Sequence, residues 1–489
     1  MPVTPAASST PQSAPTAPAT STAPQSAPTT AQSASTAPAV TYWAEHAWLE
    51  TRAEPGVTLE VRADGRIGAV RSETATPPPG AEILRGLTIP GLANTHSHAF
   101  HRALRGTAQV GTGTFWTWRE VMYRVASRLT PESYHALARA VYAEMALAGI
   151  TAVGEFHYLH HGPGGTPYAD PNAIGEALLA AAADAGIRIT LLDTVYLHGG
   201  LTRDGHQPLA GPQLRFGDGS ADAWYERWSR LKPRGDARWD AGIGAAVHSV
   251  RAFAPADGYE EFAARTDGVP VHVHVSEQPA ENEACLAVHG CTPTALLARS
   301  GFWKPTTTAV HATHLTGEDI RVLGASGAGV CMCPTTERDL ADGIGPAADL
   351  QRAGSPLSLG SDSHAVIDLL EEARALELDE RLRIRTRGHW TAAALLRAAT
   401  AAGHASLGRP DAGRLEPGAL ADFTTVALDS VRTAGPVPRL APEAVVFAAT
   451  GADVREVVVG GRRIVRSGVH ELVPDVAGEL ASTIAGVMS

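Results

Sequence analysis

The chain has 489 residues, of which 44% are apolar, 19% charged and 6% aromatic, a composition that excludes a wholly disordered or fibrous protein. Its 51 acidic and 40 basic side chains give a formal net charge of −11, which argues against a large binding surface for nucleic acid or anionic lipid. The four cysteines are too few for a disulfide scaffold of this size, so we expect buried thiols and a reducing, cytoplasmic location.

The first 40 residues contain only Ala, Ser, Thr, Pro, Gln, Val and the initial Met, without one charged or aromatic side chain. Such a segment cannot bury enough apolar surface to offset the entropy lost on ordering, so we predict a disordered tail over residues 1–40. It lacks the basic start and the unbroken apolar stretch of a secretory signal. No window of the chain approaches the roughly 18 apolar residues of a membrane span, so we expect no membrane partner.

Short alternating strands follow the tail, and similar strands return near the end of the chain. Residues 41–89 include VTLEVRADGRIGAV, in which an Asp-Gly turn separates two alternating runs. Residues 412–471 include ADFTTVALD and VREVVVGGRRIVRSGV, again with a glycine turn. Neither patch is long enough to stand alone, so we predict that they pair in one small β-sandwich domain, followed by a C-terminal helix or tail over 472–489.

Between these patches, over residues 90–411, apolar strand-like runs alternate with helix-forming segments. Strands of this kind, buried on both faces and separated by helices, are typical of a (β/α)8 barrel. The predicted fold class is therefore α/β, a TIM-like barrel with a small β-sandwich domain built from both ends of the chain. The eight runs are, in order, TIPGLANTHSH, ITAVGEFHY, RITLLDTVY, IGAAVHSVR, PVHVHVSE, TTAVHATHL, GAGVCMCP and SPLSLGSDSH.

Polar side chains stand at the C-terminal ends of several of these strands, which is the face where barrel active sites are built. His96 and His98 end strand one, and because strand side chains repeat every two residues, both imidazoles point the same way. Strand five contributes His274, strand six His311 and strand eight Asp362. Convergence of these residue types is typical of a divalent metal site.

Each of these residues also has a simpler interpretation. A single His-x-His occurs often at a surface or in a core, and Asp362 in front of a helix could cap that helix. Glu277, three residues after His274, could be a solvated loop carboxylate. The coincidence of these residues at one end of one predicted barrel favours the metal site.

With these residues in place, the chain resembles the amidohydrolase superfamily, which places a His-x-His on strand one, a His on strands five and six, and an Asp on strand eight. LEPGALADF, residues 415–423, also resembles the return of that superfamily's chain into its small β domain. Members with two metals usually carry a lysine at the end of strand four, where this chain reads GAAVHSVR. The resemblance therefore implies one divalent ion, with zinc expected, held by His96, His98, His274 and Asp362.

The resemblance also implies catalytic roles. In the deaminase branch of the superfamily a strand-five His is followed three residues later by a catalytic Glu, and His274-Val-Ser-Glu277 matches that spacing. Glu277 would transfer protons to the substrate nitrogen, and His311 and Asp362 would accept the proton of a water and orient that water. Zinc at this site would lower the pKa of the water towards neutrality.

Within the superfamily the chain is similar to the N-formimino-L-glutamate deiminase family, on the stretches NTHSHAFHRALR, GTFWTWREVMYR, GEFHYLHH, HSVRA, HVHVSEQ, VHATHL, ADGIGP and GSDSH. That family releases ammonia from N-formimino-L-glutamate and leaves N-formyl-L-glutamate, in histidine degradation. The implied partner is a small dicarboxylate substrate. Barrel enzymes of this superfamily often form dimers, so the resemblance also suggests a homodimer. The resemblance assigns substrate binding to Arg251, His248, Tyr158, Arg119 and His101.

Arginine suits this role because its guanidinium binds a carboxylate through two parallel hydrogen bonds. One residue departs from the pattern: His101 stands where relatives generally carry Gln, and its reach and charge differ from those of an amide.

Two other functions remain open. A deaminase of a nucleobase or related ring, of the guanine, adenosine or cytosine type, would share every metal ligand, but a neutral ring has no use for Arg119 and Arg251 converging on it. A barrel that had lost its chemistry would be expected to lack ligands, and none is missing.

Overall fold

The computed structural model describes residues 39–236 and 238–489. Residues 1–38 of the predicted disordered tail lie outside this part, and the first strand begins at Val40. Among the described residues, no helix has the length and apolar character needed to cross a membrane.

The strands fall into three groups along the chain. The first group is β1 (Val40–Leu49), β2 (Arg52–Val61), β3 (Ile67–Arg71) and β4 (Glu82–Pro90). The central group is β5 (Leu92–Ser97), β6 (Ile150–His157), β7 (Arg188–Val195), β8 (Gly200–Thr202), β9 (Gly205–Gln207), β10 (Arg234–Gly235), β11 (Asp240–Val247), β12 (Val271–Val275), β13 (Thr307–His311), β14 (Gly329–Met332) and β15 (Leu357–Leu359). The last group is β16 (Phe423–Val426), β17 (Val454–Val459), β18 (Arg462–Arg466) and β19 (Val469–His470).

The helices lie mainly between the central strands. They are α1 (Phe115–Arg128), α2 (Pro131–Leu147), α3 (Ala173–Ala185), α4 (Ala221–Trp228), α5 (Tyr259–Arg265), α6 (Pro279–His289), α7 (Pro293–Ala298), α8 (Gly317–Ser326), α9 (Pro334–Asp339), α10 (Ala347–Ala353), α11 (Leu369–Ile384), α12 (Ala392–Arg397), α13 (Gly403–Ser406), α14 (Ala441–Ala448) and α15 (Val476–Met488). Many begin as capping rules require: at α2, the Thr130 hydroxyl accepts from the Ser133 backbone N–H, and Pro131 takes the first position.

The eight predicted barrel strands are confirmed. Parallel pairing runs through β5, β6, β7, β11, β12, β13, β14 and β15, and a parallel bridge between Ser97 and Asp362 closes the ring. Every residue of β6 and β7 is buried, which explains why their sequences are nearly continuous apolar runs without alternation. Gly360 permits the closure, because a Cβ there would lie 2.7 Å from the His96 Cβ.

One barrel histidine lies away from the C-terminal face. His272 points to the same side as His274, two residues earlier on β12, but its Nε2 lies 3.2 Å from the Ser406 carbonyl oxygen in α13. The neighbouring Leu407 carbonyl accepts from the Thr190 hydroxyl of β7 at 2.9 Å. His272 therefore anchors the segment that closes the other end of the barrel.

Both ends of the chain join in a second, mixed sheet of eight strands, in the order β19-β18-β17-β16-β4-β1-β2-β3. Its junction is the antiparallel pairing of β4 with β16, in which Phe423 faces Pro90. Only Gly91 separates β4 from β5, so this sheet leads directly into the first barrel strand. The predicted pairing of the two distant patches is confirmed.

Candidate metal centre and active site

The end of β5 supplies two buried imidazoles on the inner face of the barrel. His96 and His98 are 0% and 2% exposed, and the residue between them faces the other way. The Ser97 hydroxyl donates to Glu155 Oε2 at 2.8 Å, and the Ala99 N–H donates to Glu155 Oε1 at 2.7 Å. The buried Glu155 carboxylate thereby holds the backbone on both sides of His98 in place.

Four side chains from three strands converge here. Ligand atoms of His96, His98, His274 and Asp362 all lie within 4.8 Å of one another. Asp362 Oδ1 lies 3.3 Å from the Nε2 atoms of both His96 and His98. The Nε2 atoms of His96 and His274 are only 3.0 Å apart, an approach suited to two lone pairs that share a cation.

The surroundings of these imidazoles fit metal ligation. His98 Nδ1 lies 2.9 Å from the Phe156 carbonyl and His274 Nδ1 lies 2.8 Å from the His248 carbonyl, so each Nδ1 donates outward and each Nε2 lone pair faces the cluster. Burial lowers the pKa of His96 to about 3 and that of His274 well below its ordinary value. Neutral imidazoles are the form that binds a metal, so the residues fit a divalent ion.

Asp362 takes its position from the closure of the barrel and does not cap a helix. Its N–H donates to the His96 carbonyl at 3.0 Å, and its φ of 40° is a left-handed conformation that a non-glycine residue rarely adopts. Burial disfavours the carboxylate, but its close contacts with the His96 and His98 imidazoles outweigh that effect and hold the pKa of Asp362 well below its usual range. The group is therefore an anion facing three imidazoles.

His311 ends β13 beside this cluster. Its Nε2 lies 3.8 Å from Asp362 Oδ2 and 3.9 Å from Glu277 Oε1, and its Nδ1 lies 3.5 Å from Glu337 Oε1. Burial opposes its protonation, but these carboxylates raise the pKa of His311 to about 10. Its φ of 65° again shows strained backbone at the strand end. The arrangement can hold and pass a proton.

A cavity opens in front of these residues. Every residue predicted to bind substrate and every predicted catalytic residue lines this cavity. The predicted metal ligands line it too, except His96, which is not part of the lining. The lining consists of His98, His101, Phe115, Trp118, Arg119, Met122, Tyr123, Tyr158, Tyr196, Phe216, His248, Arg251, His274, Glu277, His311, Leu340 and Asp362.

Both predicted arginines are held by neighbours. Arg251 Nη2 donates to Glu277 Oε2 at 3.3 Å, and Arg251 Nε donates to the Ser249 hydroxyl at 3.2 Å. Arg119 Nε donates to the Tyr123 hydroxyl at 2.5 Å and Arg119 Nη2 donates to the Gly199 carbonyl at 3.3 Å. The cavity wall thus carries two fixed cations, which is what a ligand with two carboxylates requires.

The remaining three predicted residues form one connected wall. His101 Nε2 lies 3.0 Å from the Tyr158 hydroxyl, so the imidazole that replaces the usual Gln contacts another predicted site residue. Tyr158 and His248 stack edge to face with ring centroids 5.6 Å apart. Both His101 and Tyr158 are almost fully buried.

Sequence reasoning did not assign several residues of the cavity. Phe115, Trp118 and Tyr123 lie in the stretch GTFWTWREVMYR, which already carried the family resemblance, so that motif was the available signal. Tyr196 ends the predicted strand RITLLDTVY, so its place at the C-terminal end of a barrel strand was the available signal. Phe216 lies in the loop before α4, and no motif pointed to it. Together these aromatic rings make the wall of the cavity largely apolar.

The comparisons with known proteins agree with this geometry. The Amidohydrolase family pattern matches residues 87–464. The chain is 38% identical over 438 residues to a formimidoylglutamate deiminase of Pseudomonas aeruginosa, an alignment that covers 88% of this chain and 95% of the relative. It is 33% identical over 415 residues to an 8-oxoguanine deaminase of the same organism, covering 82% and 86%. An amidohydrolase structure from Brucella melitensis matches with a TM-score of 0.82 at 30% identity, over 92% of this chain and 100% of that one. The chain therefore belongs to the amidohydrolase family.

Proposed function

We propose that this hydrolase of carbon–nitrogen bonds converts N-formimino-L-glutamate and water to N-formyl-L-glutamate and ammonia, a step of histidine degradation. The observation that carries the proposal is that two arginines, Arg119 and Arg251, line the same cavity as the metal cluster. The substrate has a carboxylate for each guanidinium and one formimino carbon for the reacting centre. The similarity to a formimidoylglutamate deiminase over most of both chains supports the same substrate.

One zinc ion would be held by His96, His98, His274 and Asp362. Bound there, it would supply Lewis acidity and make a water molecule acidic enough to react near neutral pH. A single ion agrees with the end of β11, where the next residue is His248 and no lysine is present. The two lysines of the chain lie elsewhere: Lys304 Nζ pairs with Asp267 at 2.9 Å, and Lys232 Nζ donates to the Ser229 carbonyl.

The chain's own residues would move the protons. Asp362 faces the cluster and would accept the proton that water loses as its oxygen bonds to the formimino carbon, while the protonated His311 beside it would orient that water. Glu277 lines the cavity 3.9 Å from His311 and would deliver a proton to the imine nitrogen. The proton held by Asp362 then passes to the same nitrogen, the C–N bond breaks, and ammonia leaves with the bonding pair, while the oxygen added to the carbon gives up its remaining proton to Glu277. The formyl C=O remains on the glutamate.

The rest of the cavity would hold the substrate still. Arg251 and Arg119 would each bind one carboxylate, with Tyr158 and His248 adding hydrogen bonds. His101 would position Tyr158 through the contact at 3.0 Å, and the aromatic rings would exclude water.

A ring deaminase is the second candidate, favoured by the aromatic cavity wall and by the 33% identity to an 8-oxoguanine deaminase. The two candidates differ in charge: a neutral base would leave Arg119 and Arg251 without partners in a confined cavity.

Ammonia release from a panel of substrates separates the candidates. The purified protein should hydrolyse N-formimino-L-glutamate well and N-formimino-L-aspartate less well, and should release no ammonia from guanine, 8-oxoguanine, adenosine or cytosine. The His96→Ala variant is the background control. A nucleobase turned over faster than formiminoglutamate would replace the proposal by the ring-deaminase function.

A further inference from the structure

Glu281 is a buried carboxylate to which the proposed function gives no role. It lies in the first turn of α6, and its side chain is 0% exposed. Within the described part of the chain, neither of its carboxylate oxygens has a hydrogen-bond partner. A buried carboxylate is costly unless a cation compensates it, so its neighbours are informative.

The cation beside Glu281 is Arg251. Arg251 Nε lies 3.9 Å from Glu281 Oε1, and this is the ion pair of Glu281 found among residues 39–236 and 238–489. Glu281 does not line the cavity, whereas Arg251 does. The carboxylate therefore stands behind the guanidinium, on the side away from the space that a substrate would occupy.

The guanidinium has anchors of two kinds. Its Nε edge faces the Ser249 hydroxyl and Glu281, while Nη2 reaches Glu277, the proposed proton donor. A substrate carboxylate would compete with Glu277 for the Nη atoms. Arg251 then needs a fixed counter-charge on its Nε edge. Without one, the guanidinium would stay paired with Glu277, which would hinder proton transfer by Glu277 and binding of the substrate carboxylate by Arg251.

We propose that Glu281 is the positioning residue for Arg251, holding the guanidinium from behind so that its Nη atoms bind a substrate carboxylate and Glu277 stays free for proton transfer. The proposal rests on the proposed function in so far as Arg251 binds substrate. Glu281 itself touches neither substrate nor metal, so it acts through Arg251 alone.

The first test is kinetic, with Glu281→Gln, Glu281→Asp and the control Glu283→Gln, an exposed carboxylate on the same helix. Glu281→Gln should raise KM for N-formimino-L-glutamate about tenfold or more and change kcat less. Glu281→Asp, which keeps the charge, should restore part of the loss, and Glu283→Gln should match the wild type. The effect should vanish on whichever monoamide of the substrate lacks the carboxylate bound by Arg251. An unchanged KM in Glu281→Gln, or an equal loss on both monoamides, would overturn the proposal.

The second test is thermal unfolding in a double-mutant cycle with Arg251→Met, and it does not depend on the substrate. Glu281→Gln should raise the Tm of Arg251→Met, because it removes a buried charge that the arginine no longer compensates. It should raise the Tm of the wild type less or lower it, because there Arg251 offsets part of the burial cost that raises the pKa of Glu281 to about 7. A structural role independent of Arg251 would lower both Tm values, or prevent folding in both backgrounds, and would refute the coupling. If the wild-type protein does not hydrolyse formiminoglutamate but the cycle still shows coupling between Glu281 and Arg251, the proposed function is wrong and the Glu281–Arg251 pairing remains supported.

Discussion

Replacing Arg251 by Met tests whether the cavity recognises a carboxylate. The Arg251 side chain is 12% exposed, so a substrate carboxylate in front of it would be largely desolvated. A hydrogen bond to a charged group contributes about 1.5–3 kcal/mol, and two parallel bonds give about 3 kcal/mol or more. Since about 1.4 kcal/mol corresponds to a factor of ten, Arg251→Met should reduce kcat/KM for N-formimino-L-glutamate by about 10²-fold or more.

The assay is steady-state ammonia release, with metal content and thermal unfolding measured on each variant. Arg251→Lys separates charge from geometry, because a lysine keeps the positive charge near Glu277 and Glu281 but cannot bind a carboxylate through a planar fork. It should recover stability more fully than activity. Arg265→Met, which removes partly exposed ion pairs with Asp222 and Glu261 far from the cavity, should leave kcat/KM nearly unchanged. If kcat/KM of Arg251→Met stays within about threefold of the wild-type value, the interpretation of the cavity as a site for two carboxylates is refuted.

Three further outcomes are expected. Elemental analysis should find about one zinc per chain, and His96→Ala should lose both metal and activity; two ions at full occupancy would contradict the single site. Glu277→Gln should keep its metal but lose about 10²-fold or more in kcat, and loss of metal instead would mean that Glu277 is a ligand. Arg227→Met should lower the free energy of unfolding by about 3–5 kcal/mol in denaturant titrations, because buried Asp193 and Asp218 pair with Arg227 at 2.8 and 2.9 Å. Arg227 holds the pKa of Asp193 below its usual value despite burial, so this loss should shrink as the pH falls below about 4; a loss independent of pH would argue against an electrostatic cause.

Much of the barrel could be predicted because each of its strands has a recognisable local sequence pattern. A strand buried on both faces must be apolar along its length, so the eight runs were visible one at a time, and all eight became β5–β7 and β11–β15. The period of two residues was enough to place His96 and His98 on one face of their strand. The same period places His272 on the same face as His274. It does not show how far along the barrel axis a side chain lies, and His272 contacts Ser406 at the closed end of the barrel.

The amino-acid sequence by itself determined which residue types stand at the ends of the strands, and through its motifs it determined the family. It could not decide which side chains face one another across loops and helices. Asp362 meets His96 because strand eight pairs with strand one across 266 positions, and Glu281 stands behind Arg251 because the first turn of α6 lies beside the loop that follows β11. Phe216 enters the cavity from a segment with no distinguishing pattern. Residue periodicity describes one element at a time, whereas distances between elements depend on how the whole barrel closes, and only the tertiary structure decides that.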